Sequence, residues 1–100
     1  MRKTDKKKDN AIRAALTDAC ETALTHHDGF AWLTHSADYK AFPDSLLVVC
    51  VYDTDDHLAR GDLQGMRTLI KQKLAAIDIV INDDHRQIRF DTEERRKSLH

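Results

Sequence analysis

Apolar residues recur at helical spacing in the first quarter of the chain: Ile12, Leu16, Ala19, Ala23 and His27, widened by Cys20 and Leu24. Such a stripe lines one side of an amphipathic helix, here placed at about residues 5–27. Thr4 or Asp9 can cap its start through a side-chain oxygen, and Asp28-Gly29 closes it. The pattern then changes to short runs. FAWLTHS (Phe30 to Ser36) predicts a strand, ADYKAFPDS a loop, and LLVVCVYD a second strand. The second run is continuous instead of alternating, so both faces of that strand are expected to be covered. Leu63, Met66, Ile70, Leu74 and Ile77 predict a second helix. Gly61 and Gly65 leave its start open between Asp55 and Asp62. DIVIN and QIRFD, joined by DDHR, read as a hairpin, after which Thr92 can cap a polar last turn, EERRKS.

These elements give an α+β fold of helix, strand, strand, helix, strand, strand. The expected architecture is two-layer, a four-stranded and largely antiparallel sheet carrying two helices. One hundred residues fit a single domain, 1–100, with residues 1–4 and 92–100 frayed. A chain of this length buries a core without disulfides or structural metal. A doubly covered second strand needs a helix on each face or a partner subunit on one, so a homodimer is among the expectations.

Cys20 and Cys50 show no zinc-ligand spacing and read as buried free thiols. The longest apolar run, Leu46 to Tyr52, is too short to span a bilayer. The charged amino terminus lacks the apolar region of a secretion signal. The reading is therefore cytoplasmic, with no membrane partner.

Net charge is −1, but the charges are unevenly placed. Residues 1–13 hold six Lys/Arg against two Asp, residues 14–59 hold only Lys40 against eight acids, and residues 60–100 return to nine against seven. Lys3, Lys6, Lys7 and Lys8 crowd the start beside Arg2, while Arg60, Gln64, Arg67 and Lys71 follow helical spacing opposite the apolar stripe of helix two. The candidate nucleic-acid contacts are accordingly Lys3, Lys6, Lys7, Lys8, Arg60, Arg67 and Lys71, whose charges can meet phosphates and release counterions.

The triplet DDH occurs twice, at Asp55-Asp56-His57 and Asp83-Asp84-His85. Carboxylates beside imidazoles are metal-ligand types. Context assigns the first to a helix start, where acids meet free amides, and the second to a hairpin tip. Asp53 and Asp55 in VVCVYDTDDH resemble the first motif of haloacid-dehalogenase-like phosphatases, in which a strand-end aspartate attacks phosphorus and a second moves protons beside Mg²⁺. That likeness covers about nine residues, and Asp56 stands where the family has a small residue. Nucleophile-elbow, HExxH, CxxC and glycine-rich phosphate-loop motifs are absent. GDLQG, Gly61 to Gly65, is one residue longer than the GxxG clamp of a KH domain.

MRKTDKK, DGFAWLTH and FPDSLLVVCVYDT resemble a family of small proteobacterial proteins of unassigned function, over most of the chain. Some of its members carry a Fis-like transcriptional-regulator label. That label implies an all-helical dimer ending in a helix-turn-helix, whereas DIVINDDHRQIRFD alternates like a hairpin. The functional expectation is a non-catalytic binding or adaptor module without cofactor, acting through a protein partner or self-association. The alternative is a nucleic-acid-associated regulator using the basic segments. A metal-dependent phosphoryl enzyme on Asp53 and Asp55 stands third.

Overall fold

The computed structural model describes residues 3–98. Residues 1 and 2, within the segment expected to fray, and residues 99 and 100 lie outside the described residues, as do Arg2 and His100. The first helix, α1, spans Lys3–His26, starting earlier than the capping residues implied. Ile12, Ala15, Leu16, Ala19 and Ala23 are its buried stripe, whereas Leu24 stays 55% exposed. Gly29 follows in the left-handed region, at φ 82°, and turns the chain into strand β1, Phe30–Ser36.

Strand β1 pairs antiparallel with β2, Leu47–Tyr52, in the register Leu33↔Cys50, with an irregularity between Phe30 and Trp32. The loop between them contains a 3-10 turn at Tyr39–Ala41, capped by Asp38, whose side chain accepts from the Lys40 amide. After β2 come α2 (Asp55–Arg60) and α3 (Leu63–Ala75). The expected second helix is thus two. Gly61 takes an extended conformation between them, and Asp62 starts α3 afresh by accepting from the Gly65 amide at 2.9 Å.

The last third departs most from expectation. DIVIN forms no strand. Asp78, at φ 64°, closes α3, with the Ile79 amide donating to the Leu74 carbonyl at 3.0 Å. This is the left-handed helix ending usually made by glycine, here made by aspartate. Ile79 and Ile81 are buried and Val80 is 64% exposed, so the alternation is real but serves packing beside α3. DDHR is no hairpin tip either. Asp83 caps a single turn, α4 (Asp84–Gln87), by accepting from the Arg86 amide. Buried Gln87 donates to the carbonyls of Pro43 and Leu46 and accepts from the Asp83 amide.

Strand β3, Ile88–Thr92, then pairs parallel to β2, with Cys50 opposite Phe90. Thr92 accepts from the Arg95 amide at the start of α5, Glu93–Ser98, as its capping role required. The described residues therefore hold five helices and one three-stranded mixed sheet, order β1-β2-β3. The expected four antiparallel strands and two helices are corrected. The physical reason is the long crossover through α2 and α3, which returns the chain at the end where a parallel neighbour begins.

Helices α1 and α3 cover one face of the sheet. Their Leu16, Met66, Ile70 and Leu74 pack with Val48, Cys50, Tyr52 and Ile88. The other face of β2, expected to be covered as well, is buried in part. Val51 is buried there, while Leu47 and Val49 are half-buried. Trp32 on that face donates to Glu93 at 3.0 Å and lies under the Arg96 guanidinium, 5.0 Å from its ring centre. No helix of the described residues is long and apolar enough to cross a membrane.

Candidate functional site

Two regions draw chemistry-bearing side chains together. The first is the outer edge of β1. Among the described residues no strand pairs with that edge, and α1 runs along it above a groove of about 420 Å³. Leu16, Cys20 and Leu33 give the groove an apolar floor, with Arg13 and Glu21 at its rim. His35 anchors one end. Its Nε2 lies 3.0 Å from Asp9 Oδ1, which also accepts from the Tyr39 hydroxyl at 2.9 Å, while Arg13 Nε lies 3.0 Å from Oδ2. These contacts hold the Asp9 carboxyl below the usual carboxylate range, the His35 bond contributing most. Asp9 is thus no cap. It ties α1 to β1 and the 3-10 turn.

The second region lies where β2 ends, beside the end of α1. In a parallel β-α-β unit the carboxyl ends of the strands are the usual place for a ligand. The Asp53 amide donates to the Gly29 carbonyl at 2.8 Å, and Asp53 Oδ1 accepts from the Thr54 amide at 2.6 Å. The same oxygen is 2.7 Å from His57 Nδ1. That imidazole bond, chiefly, lowers the Asp53 pKa. Thr54 caps α2 by accepting from the His57 amide at 3.1 Å. Gly29 leaves the room for His57: a Cβ on Gly29 would run into His57 Cβ.

His57 faces a cavity of about 440 Å³ bounded by His26, His27 and Asp28 at the end of α1 and by Arg60 to Asp62. Tyr52 lines it too. Its ring edge lies beside Gly61, and its hydroxyl is buried with no hydrogen-bond partner among the described residues. Burial pushes the Tyr52 pKa up to about 12.

Asp55 turns the other way. It accepts from Thr92 Oγ1 at 2.7 Å and pairs with Arg95 Nε at 3.1 Å, while its amide donates to Glu94. The two aspartates of the phosphatase-like motif thus hold different neighbours, Asp53 toward β1 and Asp55 toward α5. The two DDH triplets are both helix starts. The first follows the carboxyl end of β2 and the second precedes the amino end of β3, so about one strand length, ~16 Å, separates them. Two ligands of one ion must lie within roughly 5 Å of each other. Among the described residues no three of His, Cys, Asp and Glu are placed to hold a metal ion.

The basic candidates scatter. Arg60 is on α2, 2.6 Å from Asp56; Lys71 is on α3, 3.4 Å from Asp84. Arg67 lies 4.9 Å over the Phe90 ring, its Nε buried without a partner among the described residues. Lys8 lies 5.0 Å over Phe42. Lys3, Lys6 and Lys7 are exposed on the first turns of α1, around one shallow depression. Arg60 shares its cavity with His26, about 27 Å along α1 from Lys8, so Arg60 and the lysines form no single patch.

Neither the Asp9–His35 pair nor the Gly29–His57 contact was anticipated from sequence. Asp53 and His57 do stand at helical i, i+4 spacing, a visible signal, but one that straddles a strand end and a helix start. Compared with known proteins, the chain matches no family model, no curated protein and no solved structure.

Proposed function

We propose that this chain is a small, cytoplasmic, non-catalytic binding module that pairs with a second copy of itself along the outer edge of β1. The free edge carries the reading, because an unpaired strand presents main-chain donors and acceptors to another strand. The flanking helix supports it through charge complementarity. Arg13, Thr17 and Glu21 lie along the groove, with Thr17 midway and the two charges about 12 Å apart. A two-fold axis near Thr17 and Thr34 sets Arg13 of each copy against the other copy's Glu21, which is what an isologous interface requires. Arg13 is 70% exposed and bonds Asp9 through Nε, leaving its terminal nitrogens for that contact. Exposed Leu24 lies on the same flank, one turn beyond Cys20. The free thiols Cys20 and Cys50 fit a reducing compartment.

Sedimentation velocity tests this directly. The wild type is expected to sediment as a dimer at about 100 μM, the strength of a modest interface. Thr17→Arg is expected to be monomeric with an unchanged melting temperature. A wild type that stays monomeric at millimolar concentration, or a Thr17→Arg dimer, sinks the reading.

A second reading rests on Lys3, Lys6 and Lys7. They share one helix face and have no ion-pair partner among the described residues. As a nucleic-acid contact they should give binding whose affinity falls steeply with salt, and Lys3/Lys6/Lys7→Gln should flatten that slope by about two to three. Salt-independent binding, or none, removes it.

A further inference from the structure

The cavity at the end of α1 stands apart from the β1 edge, and its walls have a definite chemical bias. Asp28 and Asp62 supply carboxylates. Among the described residues its one guanidinium, Arg60, is already 2.6 Å from Asp56. The 24-residue α1 ends there, so its last carbonyls add partial negative charge. His57 adds an acceptor. In the tautomer whose Nδ1–H donates to ionised Asp53, Nε2 carries a lone pair, and it has no partner among the described residues. The buried Tyr52 hydroxyl, also unpartnered, is a second oxygen with unused hydrogen-bonding capacity. Beside Arg60 and the imidazoles of His26 and His27, an anion would also meet two carboxylates and the wrong end of a helix. A bare metal ion would find no three donors close enough together.

We infer that this cavity binds a small organic cation, an ammonium or guanidinium compound, with its N–H groups shared among Asp28, Asp62, His57 Nε2 and the Tyr52 oxygen. About 440 Å³ is within the range of small-molecule sites. Separate acceptors spread around the wall suit an extended ligand with several N–H donors better than a point charge. Gly29 is part of the design, since a side chain there would displace the imidazole from the wall.

The test is an amide and imidazole NMR titration of the full chain with agmatine, using inorganic phosphate as the opposing probe. Agmatine is expected to give saturable shifts confined to residues 26–29 and 52–62, with phosphate giving none there. Asp62→Asn keeps the capping oxygen of α3, and Asp28→Asn alters an exposed side chain, so both should fold. Each is expected to weaken agmatine binding by about fivefold or more, as loss of a charged hydrogen-bond acceptor requires. Saturable phosphate shifts at those residues, no saturable agmatine shift, or wild-type affinity in both Asn variants would overturn the inference. Because Thr17 is remote from this cavity, Thr17→Arg must bind agmatine as the wild type does.

Discussion

Asp9 with His35 and Asp53 with His57 are the same chemical pair, a carboxylate against an imidazole nitrogen at 3.0 and 2.7 Å. Their surroundings differ. The first pair is 17% and 13% exposed, and its carboxylate also holds Tyr39 and Arg13, joining elements 26 and 30 residues apart in sequence. The second is 45% and 37% exposed, spans four residues, and borders a cavity. Burial and the number of partners, and not the shorter distance, decide which pair holds the fold. A buried acceptor that is removed strands several donors, whereas an exposed one is replaced by water. The second pair therefore contributes less to holding the fold than the first.

The largest break in that contrast is Asp9→Ala. It leaves the Tyr39 hydroxyl and His35 Nε2 without their acceptor in a part-buried site. About 2–3 kcal/mol is expected, lowering the melting temperature by roughly 10–20 °C for a chain of this size. If Asp53→Ala costs as much in the same thermal scan, the contrast is wrong. Next comes Gly29→Ala. A left-handed residue with a side chain costs about 1 kcal/mol, and the contact with His57 adds to it, for about 2 kcal/mol in all. In a His57→Gly background, which removes the clashing His57 Cβ, the same change should cost only about 1 kcal/mol. Equal costs in both backgrounds would show that His57 does not fill the space beside Gly29.

Acid sharpens the comparison further. Both aspartates have folded pKa values below the ordinary carboxylate value of about 3.9. A lowered folded pKa means that the stabilisation is complete above the unfolded value and disappears as pH falls through the folded one. Asp9→Asn should therefore be clearly less stable than wild type in urea at pH 7. That gap should close as pH falls below about 4. A gap that is unchanged at pH 3 would assign the loss to packing.

The difference between the two pairs also explains what the chain's pattern could tell. Helix α1, both strands of the first hairpin, and the capping role of Thr92 depend on neighbours within a few residues, and the local pattern carried them. Ile79, Val80 and Ile81 also alternate, but three residues cannot say whether the buried side faces a sheet or a helix. Asp78 hid the end of α3 because the left-handed conformation there falls on an aspartate where a glycine would have signalled it. With a false strand supplied, Asp83-Asp84-His85 became a turn between strands, and β3 was assigned the wrong neighbour. The Asp9–His35 contact joins residues on separate elements, so no local rule reaches it. Likewise, Gly29 signalled a helix end correctly, but its second role depends on a histidine 28 positions away.

Asp53→Asn should have the smallest effect on the fold and the clearest effect on the site. The amide keeps the shape of a half-exposed side chain, so the melting temperature should move by no more than about 2 °C. What changes is the imidazole. An ionised Asp53 accepts only, so neutral His57 must carry its proton on Nδ1 and leave Nε2 bare. Asparagine can present its NH₂ to Nδ1 instead, which favours the proton on Nε2 and turns the acceptor at the cavity into a donor. The ¹⁵N shifts of the His57 ring report that switch directly. Asp9→Asn, read the same way at His35, should alter stability and tautomer together. Asp53→Asn should alter the tautomer alone, and weaker agmatine binding should accompany it. An unchanged His57 tautomer would mean that Asp53 does not set the ring's protonation, and the contrast between the two pairs would then reduce to burial alone.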